Sequence, residues 1–178
     1  MRQLVLFILA FTLHLSAANN QVENGLLAYG NETYDSLQVN GSAKLNGTIV
    51  TQLLQVNGSL VASNAKIGEL HVNGQAALDK CTVSKKSMVS GTLSASFTTF
   101  DQELTLASDN SAFETCTLSS IRVMKSKDNI SQTVLLGGST KVTGLITFES
   151  GNGQVVAGPD CQITQASVVG GKLQKSSS

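Results

Sequence analysis

The hexapeptide LQVNGS occurs twice in the chain, from Leu37 to Ser42 and again from Leu54 to Ser59, 17 positions apart. A third, divergent copy, LHVNGQ, begins at Leu70. In each copy Leu and Val alternate with polar residues, which places both aliphatic side chains on one face of an extended strand. The hexapeptide therefore predicts a short β-strand that recurs at a fixed spacing.

The same spacing continues beyond the three clear copies. Counted from Val39, an aliphatic anchor recurs at steps of 17, 16, 17, 17, 17, 13 and 20 residues. The predicted anchors are Val39, Val56, Val72, Val89, Leu106, Val123, Leu136 and Val156. A second aliphatic column precedes them by two positions: Leu37, Leu54, Leu70, Leu104, Ile121 and Val134. A glycine column follows them by two positions, at turns that need positive φ: Gly41, Gly58, Gly74, Gly91, Gly138 and Gly158.

A repeat with registered aliphatic and glycine columns buries its apolar face by stacking on its neighbours. We therefore predict an all-β fold, a single-stranded parallel β-helix with about 17 residues per turn. In that fold Asn40, Asn57 and Asn73 fall in one column, where they form an amide ladder or each occupy a turn alone. The Asn-Gly pairs also fit hairpins, so an antiparallel sandwich or barrel is the rival fold.

The first residues predict a secretory signal peptide, residues 1–18, because Arg2 is followed by the apolar run Leu4–Leu15 and small residues before Asn19. This run is too short to span a bilayer, so no stable membrane span is expected. The protein is then secreted or located in the periplasm or cell envelope. The predicted organisation is a signal peptide (1–18), an N-terminal cap or linker (19–36), a β-helix domain (37–171) and a polar disordered tail (172–178).

The repeats LQVNGS, LQVNGS and LHVNGQ, within the stretch from Leu37 to Val169, resemble those of the bactofilins, a family of bacterial proteins. The resemblance implies a parallel β-helix with brief disordered ends. It also implies end-to-end polymerisation without nucleotide and a role as a cytoskeletal scaffold. Bactofilins act in the cytoplasm, whereas this chain begins with a predicted signal peptide. We therefore carry over only the fold and the tendency to self-associate.

Composition and charge argue against several functional classes. Charged residues make up 13% of the chain, and 12 basic residues balance 12 acidic ones, so no nucleic-acid partner is expected. The one histidine after the predicted signal peptide, His71, lies between Leu70 and Val72 and is expected on the outer surface. A single histidine excludes most metal sites. We predict no catalytic residue, no metal site, no cofactor and no enzymatic activity.

The carboxylates and the aromatic residues are the candidates for a carbohydrate site. Asp101 and Glu103 are expected to alternate onto one face. The further candidate acids are Asp79, Asp109 and Glu114. Phe97, Phe100, Phe113 and Phe148 are expected in the core, whereas Tyr29 and Tyr34 precede the repeats.

Three cysteines and five sequons complete the candidate residues. The spacing puts Cys81 and Cys116 in nearly one column but two turns apart, beyond the reach of a disulfide. We predict that Cys81, Cys116 and Cys161 are buried and unpaired, and a Cys116–Cys161 bridge is the competing possibility. The sequons, which are glycosylation candidates in a eukaryotic host, are Asn31, Asn40, Asn46, Asn57 and Asn129.

These observations predict a structural, adhesive or self-associating scaffold that associates through the ends of the β-helix, because each end exposes open backbone edges. The same interpretation predicts a cell-surface or glycan partner. The alternative is a carbohydrate-binding or carbohydrate-processing β-helix protein.

Overall fold

A computed structural model of the chain describes residues 20–125 and 131–176. The predicted signal peptide and the sequon at Asn129 lie outside these residues. Short β-strands dominate the described chain, and one 3₁₀ turn, Gln165–Ser167, interrupts them near the C-terminus. The strands are β1 (Asn20–Tyr29), β2 (Thr33–Asn46), β3 (Ile49–Ser63), β4 (Lys66–Asp79), β5 (Thr82–Val83), β6 (Ser87–Ser96), β7 (Thr99–Ala107), β8 (Asn110–Glu114), β9 (Thr117–Val123), β10 (Thr133–Gly137), β11 (Lys141–Val142), β12 (Ile146–Phe148), β13 (Gly153–Ala157), β14 (Val168–Val169) and β15 (Gly171–Lys175).

Every pairing between the described strands is parallel, and each coil stacks on the coil about 17 residues earlier. The result is a β-solenoid of about nine turns, which confirms the predicted fold class. Parallel stacking excludes the antiparallel sandwich or barrel. The Asn-Gly pairs therefore serve as corners between consecutive strand segments of one coil, and not as hairpins.

Each coil presents three faces, defined here by their buried columns. The first face carries the Leu37 and Val39 columns, the second carries the Ala43 and Leu45 columns, and the third carries the Val50 column. Aliphatic residues from all three faces meet in one continuous core. Because side chains alternate along each segment, polar residues between the buried ones point to solvent.

The predicted anchor column is confirmed from Val39 to Val123, since these residues pair in succession and are buried. The predicted anchors Leu136 and Val156 are wrong. Val123 pairs with Phe148, whereas Leu136 continues the second-face column of Phe113. Val134, predicted in the column of Leu37, also lies on the second face.

An insertion accounts for the lost register. Between Val123 and β10 the chain carries more residues than it does at the corresponding corner of the earlier coils. Extra residues at a corner between strands need not disturb the strands that they connect. Counting along the sequence assigned the residues after the insertion to the wrong face. The stacked columns continue after the insertion on the second face, where Val134 pairs with Ser111 of the coil before it.

The glycine column is confirmed in its N-terminal part. Gly25, Gly41, Gly58, Gly74 and Gly91 all have positive φ, between 109° and 140°. A Cβ on Gly58 would lie 2.9 Å from the carbonyl carbon of Gly41, in the coil before it. Only glycine allows the coils to approach this closely at that corner. Gly138 and Gly158, which were predicted in this column, instead follow the second-face column of Leu136 and Ala157.

The solenoid is longer than the predicted domain 37–171 at its N-terminal end. Strand β1 pairs with β2 along its whole length, so residues predicted as a cap or linker form the first coil. At the other end β15 pairs with β13, so much of the tail that was predicted to be disordered from Lys172 is a paired strand. Both extensions follow from edge backbone groups, which gain hydrogen bonds by pairing even where the side chains are polar.

Candidate functional site

The outer surface of the first face carries a ladder of amides. The Asn57 Nδ2 donates to Asn40 Oδ1 at 2.8 Å, and the Asn40 Nδ2 donates to Asn24 Oδ1 at 3.0 Å. Parallel in-register stacking places like amides one coil apart, which is the spacing that an amide ladder needs. The predicted ladder is confirmed between Asn40 and Asn57, and it begins one coil earlier than the repeats suggested. Backbone register places Asn73 in the same column, one coil after Asn57.

Two charged contacts lie on the same surface. The His71 Nε2 lies 2.8 Å from Glu69 Oε1, and the His71 side chain is 44% exposed, which confirms its predicted outward position. Arg122 lies between two carboxylates, 3.3 Å from Glu103 Oε2 and 3.8 Å from Glu149 Oε1. The hydrogen bond to Glu103 raises the pKa of Arg122 further above its usual value. Exposed ion pairs of this kind contribute little to stability.

The candidate acids do not converge on one site. A bulge between Phe100 and Glu103 breaks the alternation, so Asp101 follows a third-face strand while Glu103 lies on the first face. The expectation that they share a face is wrong for that reason. Asp79 and Glu114 occupy one second-face column, with Ser96 between them. In the described part of the chain, no group of three or more His, Cys, Asp or Glu side chains is arranged to hold a metal ion.

All three cysteines lie in one buried column at the corner between the second and third faces. Backbone hydrogen bonds between successive coils place Thr98 between Cys81 and Cys116, and Thr140 between Cys116 and Cys161. Neighbouring cysteines are thus two coils apart, or about 9.6 Å, too far for a disulfide. They are free and buried, as predicted, although Cys161 was expected on another side of the coil.

The threonines and thiols of this column make the same type of bond. Each donates its side-chain proton to a nearby backbone carbonyl, as Thr98 does to Ser96 and Cys116 does to Glu114. Burial raises the pKa of all three thiols, which keeps them protonated and poorly nucleophilic at neutral pH. The column therefore has a structural role, and carries no reactive thiolate.

The aromatic residues are distributed differently from the prediction. Phe100, Phe113 and Phe148 are buried as expected, but Phe97 is 56% exposed because it occupies a corner with a φ of 48°. Among the described residues, Phe97 is the one exposed aromatic side chain. A carbohydrate site built on stacked aromatic rings would require more than one.

Tyr29 and Tyr34 close the N-terminal end of the core. Both are buried, and their rings meet edge to face with centroids 5.6 Å apart. Burial, and then the charge of Glu23, raises the pKa of Tyr29 to about 12. Burial and the hydrogen bond to Glu32 raise the pKa of Tyr34 to about 12 as well.

The outer surface of the second face, called here the second-face surface, has three parallel rows of residues. The central row is Ala28, Lys44, Val61, Ala77, Ser94, Ala112, Leu135, Val156 and Gln174. The row before it is Leu26, Ser42, Ser59, Gln75, Thr92, Asn110, Thr133, Gln154 and Lys172. The row after it is Asn46, Ser63, Asp79, Ser96, Glu114, Gly137, Gly158 and Ser176.

Small and uncharged side chains dominate this surface. The central row has no charged residue between Lys44 and Gln174. Two of its aliphatic side chains are exposed to solvent, Val61 to 44% and Leu135 to 43%. The sequence repeat did not reveal this surface, because its members belong to no repeated motif. The signal that could have found it is the absence of charge at alternate positions after each glycine corner.

The insertion after Val123 borders a cavity of about 510 Å³ beside Asp109. Gln132 is buried there, and its Nε2 donates to the carbonyl oxygens of Ser108 at 3.2 Å and Met124 at 2.7 Å. These bonds tie the two ends of the insertion to the coil beside it. Gln132 therefore has a positioning role in the fold.

Four of the five sequon asparagines lie within the described residues, and all four are exposed: Asn31, Asn40, Asn46 and Asn57. Asn40 and Asn57 belong to the amide ladder, so a glycan on either would replace a ladder contact. Glycosylation of these sequons in a eukaryotic host stays a prediction.

No protein-family model, curated protein or solved structure matches this chain. The resemblance to the bactofilins therefore stays a prediction. Within residues 20–125 and 131–176, no helix is long and apolar enough to cross a membrane.

Proposed function

We propose that this protein is a non-enzymatic structural rod, exported to the cell envelope or beyond, that self-associates end to end. The observation that supports the proposal is an interior second-face column left half-covered at both ends. Leu27 begins this column and Leu173 ends it, and both are only partly buried against the core. Stacking Leu27 of one copy on Leu173 of another would continue the column and bury both.

The backbone at each end is suited to the same contact. Among the described strands, β1 pairs only with β2, and β15 pairs only with β13. From Val22 to Tyr29 on β1, and along β15, N–H and C=O groups therefore lie at the ends of the described stack, where a further parallel strand could pair with them. Val22 and Leu26 on β1 are 67% and 85% exposed, which adds apolar area at this edge.

Charge favours head-to-tail stacking over stacking of two like ends. Glu23 and Glu32 lie on the first coil, whereas Lys172 and Lys175 lie on the last strand. A head-to-tail contact brings acidic and basic ends together, and a contact between two like ends brings like charges together. Repeated head-to-tail contacts that do not close produce a filament.

Gly25 supplies a sharp test because it occupies the glycine column on the terminal coil. A Cβ on Gly41, one coil later, would lie 3.0 Å from the carbonyl carbon of Gly25, so a Cβ in this column points at the preceding coil. A Cβ on Gly25 itself meets nothing within 4 Å. It would meet the last coil of a stacked copy. Gly25→Ala should therefore abolish end-to-end assembly while the isolated rod keeps its fold.

The matched control is Gly151→Ala, since Gly151 also has positive φ and open space around its Cβ position. Negative-stain microscopy and light scattering of the mature protein at high micromolar concentration should show filaments for the parent and for Gly151→Ala. They should show none for Gly25→Ala. A parent that forms no end-to-end assemblies, or a Gly25→Ala chain that assembles like the parent, rejects the proposal.

A carbohydrate-binding role is the second candidate, and the first-face surface is the observation that favours it. A shallow groove of about 140 Å³ there is lined by Gln55, Asn57, His71 and Asn73, among others. Amide and imidazole groups can hydrogen-bond to sugar hydroxyls. A glycan array probed with the mature protein should then give a signal that Asn57→Ala reduces. Equal signals from both proteins reject binding at this groove.

A further inference from the structure

Within the described residues, no further strand or helix lies over the second-face surface, and its chemistry is nearly constant along the rod. Its charges are confined to Lys44 on the second coil, Lys172 on the last coil, and Asp79 and Glu114 in one edge row. The first-face surface, in contrast, carries Arg122 and its carboxylate partners. A solvent-exposed sheet ordinarily places charged residues along its outer face, so a long uncharged stretch with exposed aliphatic residues indicates a contact surface.

We propose that two copies of this protein pair side by side through the second-face surface, with their rods antiparallel. This contact extends the proposed scaffold role, because it joins rods laterally where the ends join them lengthwise. The partner is a second copy, since a two-fold axis placed within the surface makes it complementary to itself.

The axis lies between Ser94 and Ala112, so that the eight coils from Lys44 to Gln174 overlap and the first coil, which carries Ala28, extends beyond the contact. Antiparallel rods then bring Ser94 of one copy opposite Ala112 of the other. One coil further out, Ala77 faces Leu135. Two coils out, Val61 faces Val156. Leu135, the largest aliphatic side chain of the row, thus meets the small side chain of Ala77, and complementary sizes of this kind favour close packing.

The neighbouring row is also satisfied by this arrangement. Thr92 faces Asn110, Gln75 faces Thr133 and Ser59 faces Gln154, so hydroxyl and amide groups lie opposite groups that can donate or accept. The terminal lysines face uncharged residues: Lys44 faces Gln174 and Lys172 faces Ser42. No lysine faces a lysine.

Parallel rods would pack less well through the same surface. The axis would then run along the rod, and each central residue would face its own copy. Leu135 would meet Leu135, while Ala77, Ser94 and Ala112 would each face an equally small residue and leave gaps. Gaps of this kind forfeit the close contacts on which sheet packing depends. The antiparallel arrangement pairs Leu135 with Ala77, and so avoids both the contact between two Leu135 side chains and the gap between two Ala77 side chains.

The row after the central row contains the one unfavourable feature. Within each copy the Glu114 carboxylate lies over Gly137, with its Cδ 3.0 Å from the position of a Cβ on that glycine. Asp79 of one copy would face Gly137 of the other, and therefore also the Glu114 carboxylate that covers it. Two acidic groups therefore approach at this edge, where solvent can screen them. Glu114→Gln should consequently strengthen pairing severalfold.

The surface is large enough for a stable but modest contact. Eight strand segments about 4.8 Å apart, each about five residues wide at about 3.3 Å per residue, cover about 630 Å² on each copy. The total of about 1,250 Å² exceeds the roughly 1,000 Å² expected of a specific interface. This area lies at the low end of the range for specific interfaces, where weak and transient contacts are found, so we expect a dissociation constant on the order of micromolar.

Charge reversal at one facing pair tests both the surface and its orientation. Ala77 and Leu135 lie three coils apart within a copy, about 14 Å, so they face each other only between antiparallel copies. Ala77→Lys alone and Leu135→Glu alone should each weaken pairing at least tenfold. The double variant Ala77→Lys/Leu135→Glu should restore it to within about tenfold of the parent, because each lysine then faces a glutamate.

The experiment measures dissociation constants of the mature protein by analytical ultracentrifugation, in the parent and in a Gly25→Ala background that removes end-to-end stacking. Gln55→Lys and Thr105→Glu on the first face are the controls, and thermal melting checks that each variant folds. Recovery in the double variant supports the proposal. Unchanged pairing in the single variants, or a double variant as weak as either single, overturns it.

The two proposals fail differently in this design. If Gly25→Ala leaves filaments intact while the charge variants separate paired rods, the end-to-end function is rejected and lateral pairing stands. If Gly25→Ala leaves a monomer at high micromolar concentration, lateral pairing is rejected whatever the ends do. A monomer in that background would also leave the second-face surface to some other partner.

Discussion

Replacing Gly58 with alanine tests the physical basis of the coil stacking. Gly58 has a φ of 140°, a conformation that alanine rarely adopts. A Cβ there would lie 2.9 Å from the carbonyl carbon of Gly41 and closer still to its oxygen. Ordinary contact between such atoms begins at about 3.5 Å, so the two coils must separate locally by about an ångström.

The expected cost combines two effects. The strained φ contributes about 1–3 kcal/mol. Separating the coils weakens two or three backbone hydrogen bonds of the adjoining strand segments, at about 1 kcal/mol each. The free energy of unfolding should fall by about 3–6 kcal/mol, which corresponds to a decrease of about 6–24 °C in the melting temperature for a domain of this size.

Thermal melting followed by circular dichroism measures this change, with two other glycines as controls. Gly25 has a φ of 109° but open space around its Cβ position, so Gly25→Ala reports the backbone strain alone. Gly30 has neither a positive φ nor a close neighbour at its Cβ position, so Gly30→Ala should leave the melting temperature unchanged. The reasoning is refuted if Gly58→Ala melts within about 2 °C of the parent, or no lower than Gly25→Ala.

Two further predictions concern buried titratable groups. The chain has two tyrosines and no tryptophan, so absorbance near 295 nm reports only Tyr29 and Tyr34. Both should titrate near pH 12 in the folded protein, and because the unfolded groups ionise near pH 10, stability should fall as pH rises from about 10 to about 12; titration near pH 10 in the folded state would contradict this. Alkylation of unreduced protein should label none of Cys81, Cys116 and Cys161 while it is folded and all three after denaturation, and a single label after denaturation would reveal a disulfide.

The N-terminal coils could be predicted from the sequence because one set of residues satisfies both local and long-range requirements there. Val39, Val56 and Val72 alternate correctly for a strand and also stack on one another between coils. The glycine that follows each anchor fits both the corner and the close approach of the next coil. Because the alternation within each strand and the stacking between coils agree, the constant spacing predicted both the register and the column of asparagines that forms the amide ladder.

The C-terminal coils could not be placed by counting. An insertion at a surface corner costs little free energy, so it can shift every later residue without leaving a signal in the aliphatic pattern. Leu136 and Val156 were placed on the wrong face for that reason, and Cys161 was separated from the column of Cys116. Backbone pairing between coils, which has no counterpart in sequence spacing, decided their positions.

The sequence by itself determined the solenoid and the outward position of the polar residues, because period and alternation are properties of a single strand. Only the tertiary structure decided which polar residues share a surface. Asp101 and Glu103 are two positions apart yet lie on different faces, whereas Ala77 and Leu135 are distant in sequence and share one row. Neighbourhood on a solenoid surface is set by stacking between coils, and the sequence records that stacking only where the repeat is regular.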